Sequence, residues 1–138
     1  MKVNPYIQFG GKCAQAFEFY RQHLGAKDIM LLPFRGSPAE QHAPPEWLDK
    51  IMHGSLSIDG EVLMGSDGMH GVPFEGMKAC SLSLGVATPD DAERVFRALS
   101  DGGTVTIALE TNFFASRFGM LTDKFGVSWM VICELPRA

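Results

Sequence analysis

An internal repeat is the feature of this sequence that most constrains its fold. A constant offset of 77 residues relates three positions in the first half of the chain to three in the second. Each pair shares one structural role: the end of a strand-like segment, an apolar position in a helical pattern, or a glycine that ends the helix. The pairs are Phe9 with Val86, Phe19 with Phe96, and Gly25 with Gly102. A repeat of this kind predicts two copies of one supersecondary unit.

Each half begins with a strand-like segment followed by a helical one. In the first half, residues 3–9 suit a strand, and residues 12–24 carry apolar side chains at helical spacing. In the second half, residues 80–86 alternate serine and leucine as a half-buried strand does. The run Thr88-Pro89-Asp90-Asp91 then predicts a helix start, with a hydroxyl cap, a proline in the first turn and acidic side chains near the positive end of the helix dipole.

Each half then continues with three more strand-like segments. They are residues 29–34, 51–58 and 62–64 in the first half, and residues 105–109, 114–121 and 128–133 in the second. The turns Asp59-Gly60 and Phe125-Gly126 are related by an offset of 66, so the first half carries 11 additional residues. This surplus falls in segment 35–50, whose prolines predict an absence of regular structure.

The order strand, helix, strand, strand, strand therefore occurs twice and predicts an α+β fold with eight strands. We expect one domain over residues 1–138, built from module 1–68 and module 79–138. Modules of roughly 60 residues are each too small to bury a sheet alone. They should therefore pack together, either within one chain or across two chains of a homodimer.

Composition excludes several classes of protein. With Lys and Arg numbering 12 against 16 Asp and Glu, and no basic run, the chain offers no surface for a nucleic acid partner. The longest apolar run, residues 29–34, is far short of the roughly 20 residues of a membrane helix, so no membrane partner is expected. Three cysteines without a C-x-x-C pair predict reduced thiols and a cytoplasmic location.

Several motifs extend over nearly the whole chain. They are Pro5-Tyr6, Ala16-x-x-Phe19-Tyr20, Leu24-Gly25-Ala26, Ser66-Asp67 and Thr122-Asp123-Lys124-Phe125-Gly126-Val127-Ser128-Trp129-Met130. In these motifs the sequence resembles the PhnB-like branch of the vicinal oxygen chelate superfamily, also called the glyoxalase/bleomycin resistance/dihydroxybiphenyl dioxygenase superfamily. The resemblance implies a glyoxalase-like fold, in which two βαβββ modules form a cupped mixed sheet.

Metal-dependent members of that superfamily hold one divalent ion with His, Gln or Glu on the first and last strands of each module. The resemblance places Asn4, Met64, Ser81 and Met130 at these four positions. The internal repeat relates the same residues in two pairs. Divalent ions prefer imidazole nitrogen or carboxylate oxygen, which an amide, a hydroxyl and two thioethers do not supply. We therefore expect no metal and no cofactor.

Strand alternation identifies candidate ligand-binding residues, because every second side chain shares a face. Polar groups with methionines suit the lining of a small-molecule pocket. The predicted ligand-binding residues are Asn4, Tyr6, Gln8, His53, Met64, Ser81, Phe114 and Met130. Phe114, with its neighbour Phe113, is alternatively a dimer contact. His53 shares its face with two serines and is the best candidate for general acid-base catalysis, although a lone strand histidine is more often only hydrogen-bonded.

Cys13 lies in the first turn of the first helix, where the dipole could lower the pKa of its thiol. No histidine can be placed beside it from the sequence. Packing of Cys13 against the sheet is therefore the favoured interpretation.

Two functions remain open. The first is small-molecule binding without the usual divalent metal, as the resemblance to antibiotic-sequestering members implies. The alternative is a glyoxalase-type lyase or isomerase, which would use either unusual metal ligands such as His53 and Glu61 or metal-free acid-base chemistry. A purely structural or interaction module, suggested by the aromatic C-terminal strands, is a third possibility.

Proteins similar to this one sometimes carry a demethylubiquinone methyltransferase label. A methyltransferase with a nucleotide cofactor normally needs a strand, a Gly-rich loop, a helix and a following acidic residue. The glycine pairs of this chain instead end or precede helices. We therefore do not expect methyl transfer.

Overall fold

The computed structural model describes residues 1–136 and divides the chain into two compact units, Met1–Phe74 and Glu75–Ala138. Each unit has the element order βαβββ. Each also contains one four-stranded mixed sheet and one α-helix. The predicted α+β fold built from two such modules is confirmed.

The first unit packs one helix against one face of its sheet. Its elements are β1 (Tyr6–Gln8), α1 (Cys13–Leu24), β2 (Lys27–Pro33), β3 (Ile51–Ile58) and β4 (Glu61–Ser66). The strand order is β1-β4-β3-β2, with β1 parallel to β4 and the other pairs antiparallel. Phe17 of α1 packs over Gly54 of β3, where an added Cβ would lie 3.0 Å from the ring. A glycine here lets the helix approach the sheet closely.

The second unit repeats this arrangement. Its elements are β5 (Leu82–Val86), α2 (Pro89–Ser100), β6 (Thr104–Glu110), β7 (Ala115–Thr122) and β8 (Ser128–Glu134). The strand order β5-β8-β7-β6 again contains one parallel pair, β5 with β8. Phe96 of α2 lies over Gly119 of β7, where an added Cβ would come within 2.7 Å of the ring. Both modules therefore place a strand glycine beneath a helix phenylalanine.

Local sequence signals account for several element boundaries. Oγ1 of Thr88 accepts a hydrogen bond from the Asp91 amide at 3.1 Å, so it caps α2 as predicted. Gly25 ends α1 in the left-handed region with φ of 67°. Asp59 and Gly60 both have positive φ, the geometry of a two-residue hairpin turn between β3 and β4. Neither α-helix within residues 1–136 is long and apolar enough to cross a membrane.

Two parts of the structure differ from the sequence prediction. Strand β1 begins at Tyr6 rather than at residue 3, because Pro5 has no N–H to donate and only its carbonyl bonds, to the Met64 amide at 3.1 Å. Segment 35–50 is not without regular structure. It contains two short 3-10 turns, Glu40–His42 and Pro45–Trp47, the second of which begins with a proline that suits a first helical position.

A buried carboxylate connects three elements of the first unit. Asp67, directly after β4, accepts hydrogen bonds from the backbone amides of Cys13 and Ile51, each at 2.7 Å. The Cys13 amide is one of the first N–H groups of α1, which would otherwise lack a partner. A negative charge at this helix end is also favourable for the helix dipole. Asp67 therefore joins the start of α1 and the start of β3 to the end of β4.

The second unit uses a different buried carboxylate, in the turn between β7 and β8. Asp123 accepts hydrogen bonds from the Phe125 and Val127 amides and from Nε1 of Trp129, at 2.8, 3.0 and 2.9 Å. The motif over residues 122–130 therefore forms the turn between β7 and β8, which the hydrogen bonds to Asp123 stabilise.

Cys13, the first residue of α1, is fully buried. Burial, with a further contribution from the charge of Asp67, raises the pKa of its thiol to about 12. The alternative that the helix dipole lowers this pKa is therefore wrong, and Cys13 is a packing residue. Cys133 is also buried, whereas Cys80 is exposed, and all three are free.

We predict that Asp67→Ala lowers the free energy of unfolding by about 3 kcal/mol, because two buried amides lose a charged acceptor. Asp67→Asn, which keeps one acceptor oxygen, should cost less. The measurement is urea unfolding followed by tryptophan fluorescence. Asp49→Ala is the matched control, since the Asp49 carboxylate is exposed and forms a surface ion pair with Arg35. Equal midpoints for the Asp67→Ala and Asp49→Ala variants would contradict this role.

We also predict that iodoacetamide modifies only Cys80 in the native protein at pH 8. Thiolate is the reactive form, and Cys13 stays protonated and buried at that pH. Intact-mass spectrometry should show one added carbamidomethyl group before unfolding and three in guanidinium chloride. Modification of Cys13 at a rate similar to that of Cys80 would show that the start of α1 opens readily.

Candidate functional site

One face of the first sheet packs against α1, and the opposite face, here called the distal face, carries mainly polar and sulfur-containing side chains. Cross-strand pairing assigns the members of the distal face, since directly paired residues point the same way. They are Tyr6, Gln8, Lys27, Met30, Leu32, His53, Ser55, Ser57, Val62, Met64 and Ser66. Four of its large apolar or aromatic members are substantially exposed: Tyr6 by 48%, Leu32 by 44%, and Met30 and Val62 by 40% each.

Tyr6 and His53 form a pair at one end of the distal face. The hydroxyl of Tyr6 lies 3.0 Å from Nδ1 of His53. The two rings are stacked, with centroids 5.5 Å apart and an interplanar angle of 24°. The parallel pairing of β1 with β4 places Tyr6 beside Met64, so the phenol reaches across β4 toward β3. The sequence identified both residues as candidates but did not pair them.

The hydrogen bond between Tyr6 and His53 has a preferred direction. Burial raises the pKa of Tyr6, against the opposing effect of a hydrogen bond with the Ser66 side chain, so the phenol is protonated at neutral pH. A phenol is more acidic than a neutral imidazole N–H, so it donates the hydrogen bond to Nδ1. In an imidazole that accepts a hydrogen bond at Nδ1, Nε2 is the ring nitrogen that carries a proton. Within residues 1–136, Nε2 of His53 has no hydrogen-bond partner.

Segment 35–50 supports the same end of the face. Nε1 of Trp47 donates to the carbonyl of Gly68 at 2.9 Å. Gly68 in turn donates its amide to Oγ of Ser66 at 2.9 Å, and Ser66 is the direct neighbour of Gln8. The proline-rich segment therefore holds the chain that follows β4 against the polar part of the distal face.

The remaining predicted ligand-binding residues lie elsewhere. Asn4 precedes β1 and donates from Nδ2 to the Val62 carbonyl at 3.4 Å. Ser81, Phe114 and Met130 belong to the second unit. Ser81 precedes β5, and Phe114 packs against Phe113 and Phe118 with centroid separations of 5.2 and 5.1 Å. The structure therefore brings together Tyr6, His53 and Met64 among the predicted residues, with Gln8 next to them.

The four positions that the resemblance assigns to metal ligands do not carry suitable donor atoms. Met64 and Met130 lie in strands as predicted, but their partners on the parallel neighbours are Tyr6 and Ser83, not Asn4 and Ser81. These partners are again 77 residues apart. Neither a thioether, a phenol nor a hydroxyl has the charge or basicity that divalent ions prefer. Within the described part of the chain, no group of three or more His, Cys, Asp or Glu side chains could hold a metal ion.

The alternative of His53 and Glu61 as joint metal ligands is wrong. Glu61 pairs with Ile58 beside the hairpin turn, and His53 lies five residues further along β3. At the rise of an extended strand this separation is about 17 Å. One metal ion cannot bind both side chains.

Comparison with known proteins places the chain in a family. The family model described as 3-demethylubiquinone-9 3-methyltransferase matches residues 1–132. The crystal structure of protein PA1353 from Pseudomonas aeruginosa matches with 47% identity and a TM-score of 0.87, covering 97% of this chain and 98% of that chain.

Two more distant structures share the fold. The PhnB protein from Bacillus cereus is 23% identical, with a TM-score of 0.78 over 96% of this chain and 99% of that chain. A glyoxylase/bleomycin resistance protein/dioxygenase domain from Frankia sp. EAN1pec is 14% identical, with a TM-score of 0.63 over 100% of this chain and 95% of that chain. The chain therefore belongs to the family whose model is described as 3-demethylubiquinone-9 3-methyltransferase.

Proposed function

We propose that this protein binds a small organic molecule on the distal face of its first sheet and does so without a divalent metal. The observation that carries the proposal is the stacked, hydrogen-bonded pair of Tyr6 and His53 beside Met64. Ligand sites typically combine apolar walls with a few fixed polar groups. Tyr6, His53, Gln8 and Met64 supply such a combination.

The methionine side chains of the distal face can adapt their shape to a bound ligand. Met30 and Met64 both pair with Ser55, so the two thioethers lie on either side of one small residue. Methionine side chains are flexible and polarizable, and they make favourable contacts with aromatic rings. The small serine leaves room between them for a ligand.

Further parts of the proposal concern the rest of the chain. Asn4 is the proposed contact at the edge of this face, and Ser81, Phe114 and Met130 are proposed as ligand contacts from the second unit. We propose a homodimer because each module contains only one sheet and one helix. We propose a cytoplasmic location because all three cysteines are free thiols. The pairing of modules, within one chain or across two, is open in this proposal.

The family's methyltransferase description does not extend readily to this chain. The glycines between β1 and α1 are the nearest equivalent of a Gly-rich cofactor loop. Phe74 packs on Gly10, where an added Cβ would lie 2.5 Å from its ring. Nζ of Lys50 bonds the Gly11 carbonyl at 3.0 Å, and Asp67 already occupies the start of α1. These contacts disfavour a cofactor at that loop.

Acid-base catalysis is the second candidate function, and the Tyr6–His53 pair is the observation that favours it. A phenol bonded to an imidazole can pass a proton between a ligand and solvent. In this version a bound molecule with an acidic C–H group would be isomerised or cleaved. Nε2–H of His53 would give its proton to the ligand while Nδ1 takes the proton of the Tyr6 hydroxyl, and Tyr6 would regain a proton from the ligand's C–H group or from solvent.

We predict that protein dialysed against EDTA binds small organic fragments at Met30 and Met64. The measurement is NMR of methionines labelled with ¹³C in their methyl groups, which gives separate probes on this face among the 8 methionines of the chain. Ser55→Trp should fill the gap between the two thioethers and abolish the shifts. Gln15→Trp, at an exposed position of α1, is the control and should retain them.

Three results decide between the functions. Shifts of Met30 and Met64 that appear only after a divalent metal is added would contradict metal-free binding. S-adenosylmethionine at equal concentration should leave both signals unchanged, and saturable binding of it would support methyl transfer instead. Conversion of a bound fragment that stops in His53→Ala would establish acid-base catalysis in place of simple binding.

A further inference from the structure

We infer that the ligand of the distal face is an uncharged aromatic molecule with a carbonyl oxygen, and that Nε2–H of His53 donates a hydrogen bond to that oxygen. This inference rests on the proposed function, since it assigns a chemical class to the molecule bound at the same face. Three properties of the face support it: the absence of charged side chains near Tyr6 and His53, the stacked aromatic pair with its neighbouring methionines, and the Nε2–H donor of His53.

The face lacks charged side chains where a ligand would lie. The pairs Leu32–His53 and Gln8–Ser66 and the adjoining row of Met30, Ser55 and Met64 contain no Lys, Arg, Asp or Glu. The next charged residues belong to the start of β2, where Lys27 pairs with Ser57 and Asp28 accepts from its hydroxyl at 3.3 Å. Ser57 lies about 7 Å along the strand from Ser55.

A ligand charge would therefore have no partner on this part of the face. A charged group that leaves water without gaining a partner loses hydration energy that nothing restores. The cations of segment 35–50 are engaged elsewhere: Arg35 pairs with Asp49 and Lys50 bonds the Gly11 carbonyl. Charge complementarity thus favours a neutral ligand over an anion or a cation.

The shape of the face favours a flat ring. Tyr6 and His53 are nearly parallel to each other, so together they present a stacked aromatic surface. Met30 and Met64 lie in the adjoining row, where their sulfur atoms can approach the edge of a ring. Aromatic ligands gain both stacking and sulfur contacts in such a setting, whereas a branched aliphatic ligand gains neither.

The polar requirement comes from His53. Its Nδ1 is used by the Tyr6 hydroxyl, and its Nε2–H has no acceptor among residues 1–136. A ligand that displaces the water bonded to this N–H group, and offers no acceptor in its place, binds more weakly. A ligand carbonyl oxygen satisfies it without introducing a charge.

The test compares naphthalene probes that differ only in one substituent. They are 2-naphthamide, 2-methylnaphthalene, 2-naphthoate and 2-naphthylmethylammonium, each titrated into the full chain and followed by NMR of the histidine rings and methionine methyl groups. We expect 2-naphthamide to shift His53, Met30 and Met64, and both charged probes to bind at least about 10-fold more weakly.

Two variants isolate the hydrogen bond. His53→Phe keeps an aromatic ring but removes Nε2–H, so it should weaken 2-naphthamide binding about 3- to 10-fold and leave 2-methylnaphthalene binding unchanged. His42→Phe, in the 3-10 turn of segment 35–50, is the matched control and should change neither. Equal weakening of both neutral probes in His53→Phe would overturn the assigned hydrogen bond.

The remaining outcomes separate this inference from the proposed function. If a charged probe binds as tightly as 2-naphthamide and shifts the same methionines, the ligand class is wrong but the distal face is still a binding site. If no probe and no fragment of any charge shifts Met30, Met64 or His53, the inference and the proposed function both fail.

Discussion

The buried carboxylate of Asp67 is the interaction on which the first unit depends. It accepts from the first turn of α1 and from the first residue of β3, and it directly follows β4. With α1 held at this place, Phe17 lies over Gly54 and the helix covers one face of the sheet. Strand alternation then directs Tyr6, His53 and Met64 to the opposite face. The candidate site is thus a consequence of how the helix is attached.

The repeat conserves the fold while the two modules differ in chemistry. Both sheets have the same strand order, one parallel pair and a glycine beneath a helix phenylalanine. The paired positions Tyr6 and Met64 in one unit correspond to Ser83 and Met130 in the other. Each sheet therefore has one methionine at the equivalent position, and its thioether is polarizable and uncharged. That composition is the reason why we propose a neutral organic ligand rather than a divalent ion.

Much of the fold could be predicted from the sequence because its signals are local. The bounds of β3, the cap of α2 at Thr88 and the turn at Asp59-Gly60 depend on neighbouring residues. The start of β1 at Tyr6 could not be predicted, because the effect of Pro5 on the backbone hydrogen bonds depends on β4, which is distant in the sequence. The 3-10 turns of segment 35–50 were missed because proline signals an absence of long helices but permits single turns.

The candidate site could be predicted only as a set of separate residues. Strand alternation predicted the faces of Tyr6 and His53, and the two-residue turn fixed the register of β3 against β4. Their contact also requires the parallel register of β1 with β4, for which the sequence carries no local signal. The role of Asp67 was missed for a similar reason, since its two donors lie 54 and 16 residues away.

The most direct test of metal-free binding at this face is a high-resolution crystal structure of the protein, purified without chelators and soaked with a fragment found by screening. The account predicts electron density for the fragment against Tyr6 and His53, within contact of Met64, and no anomalous signal from a transition metal at Met64 or Met130. A divalent ion bound at either methionine position, with the fragment coordinated to it, would contradict the account.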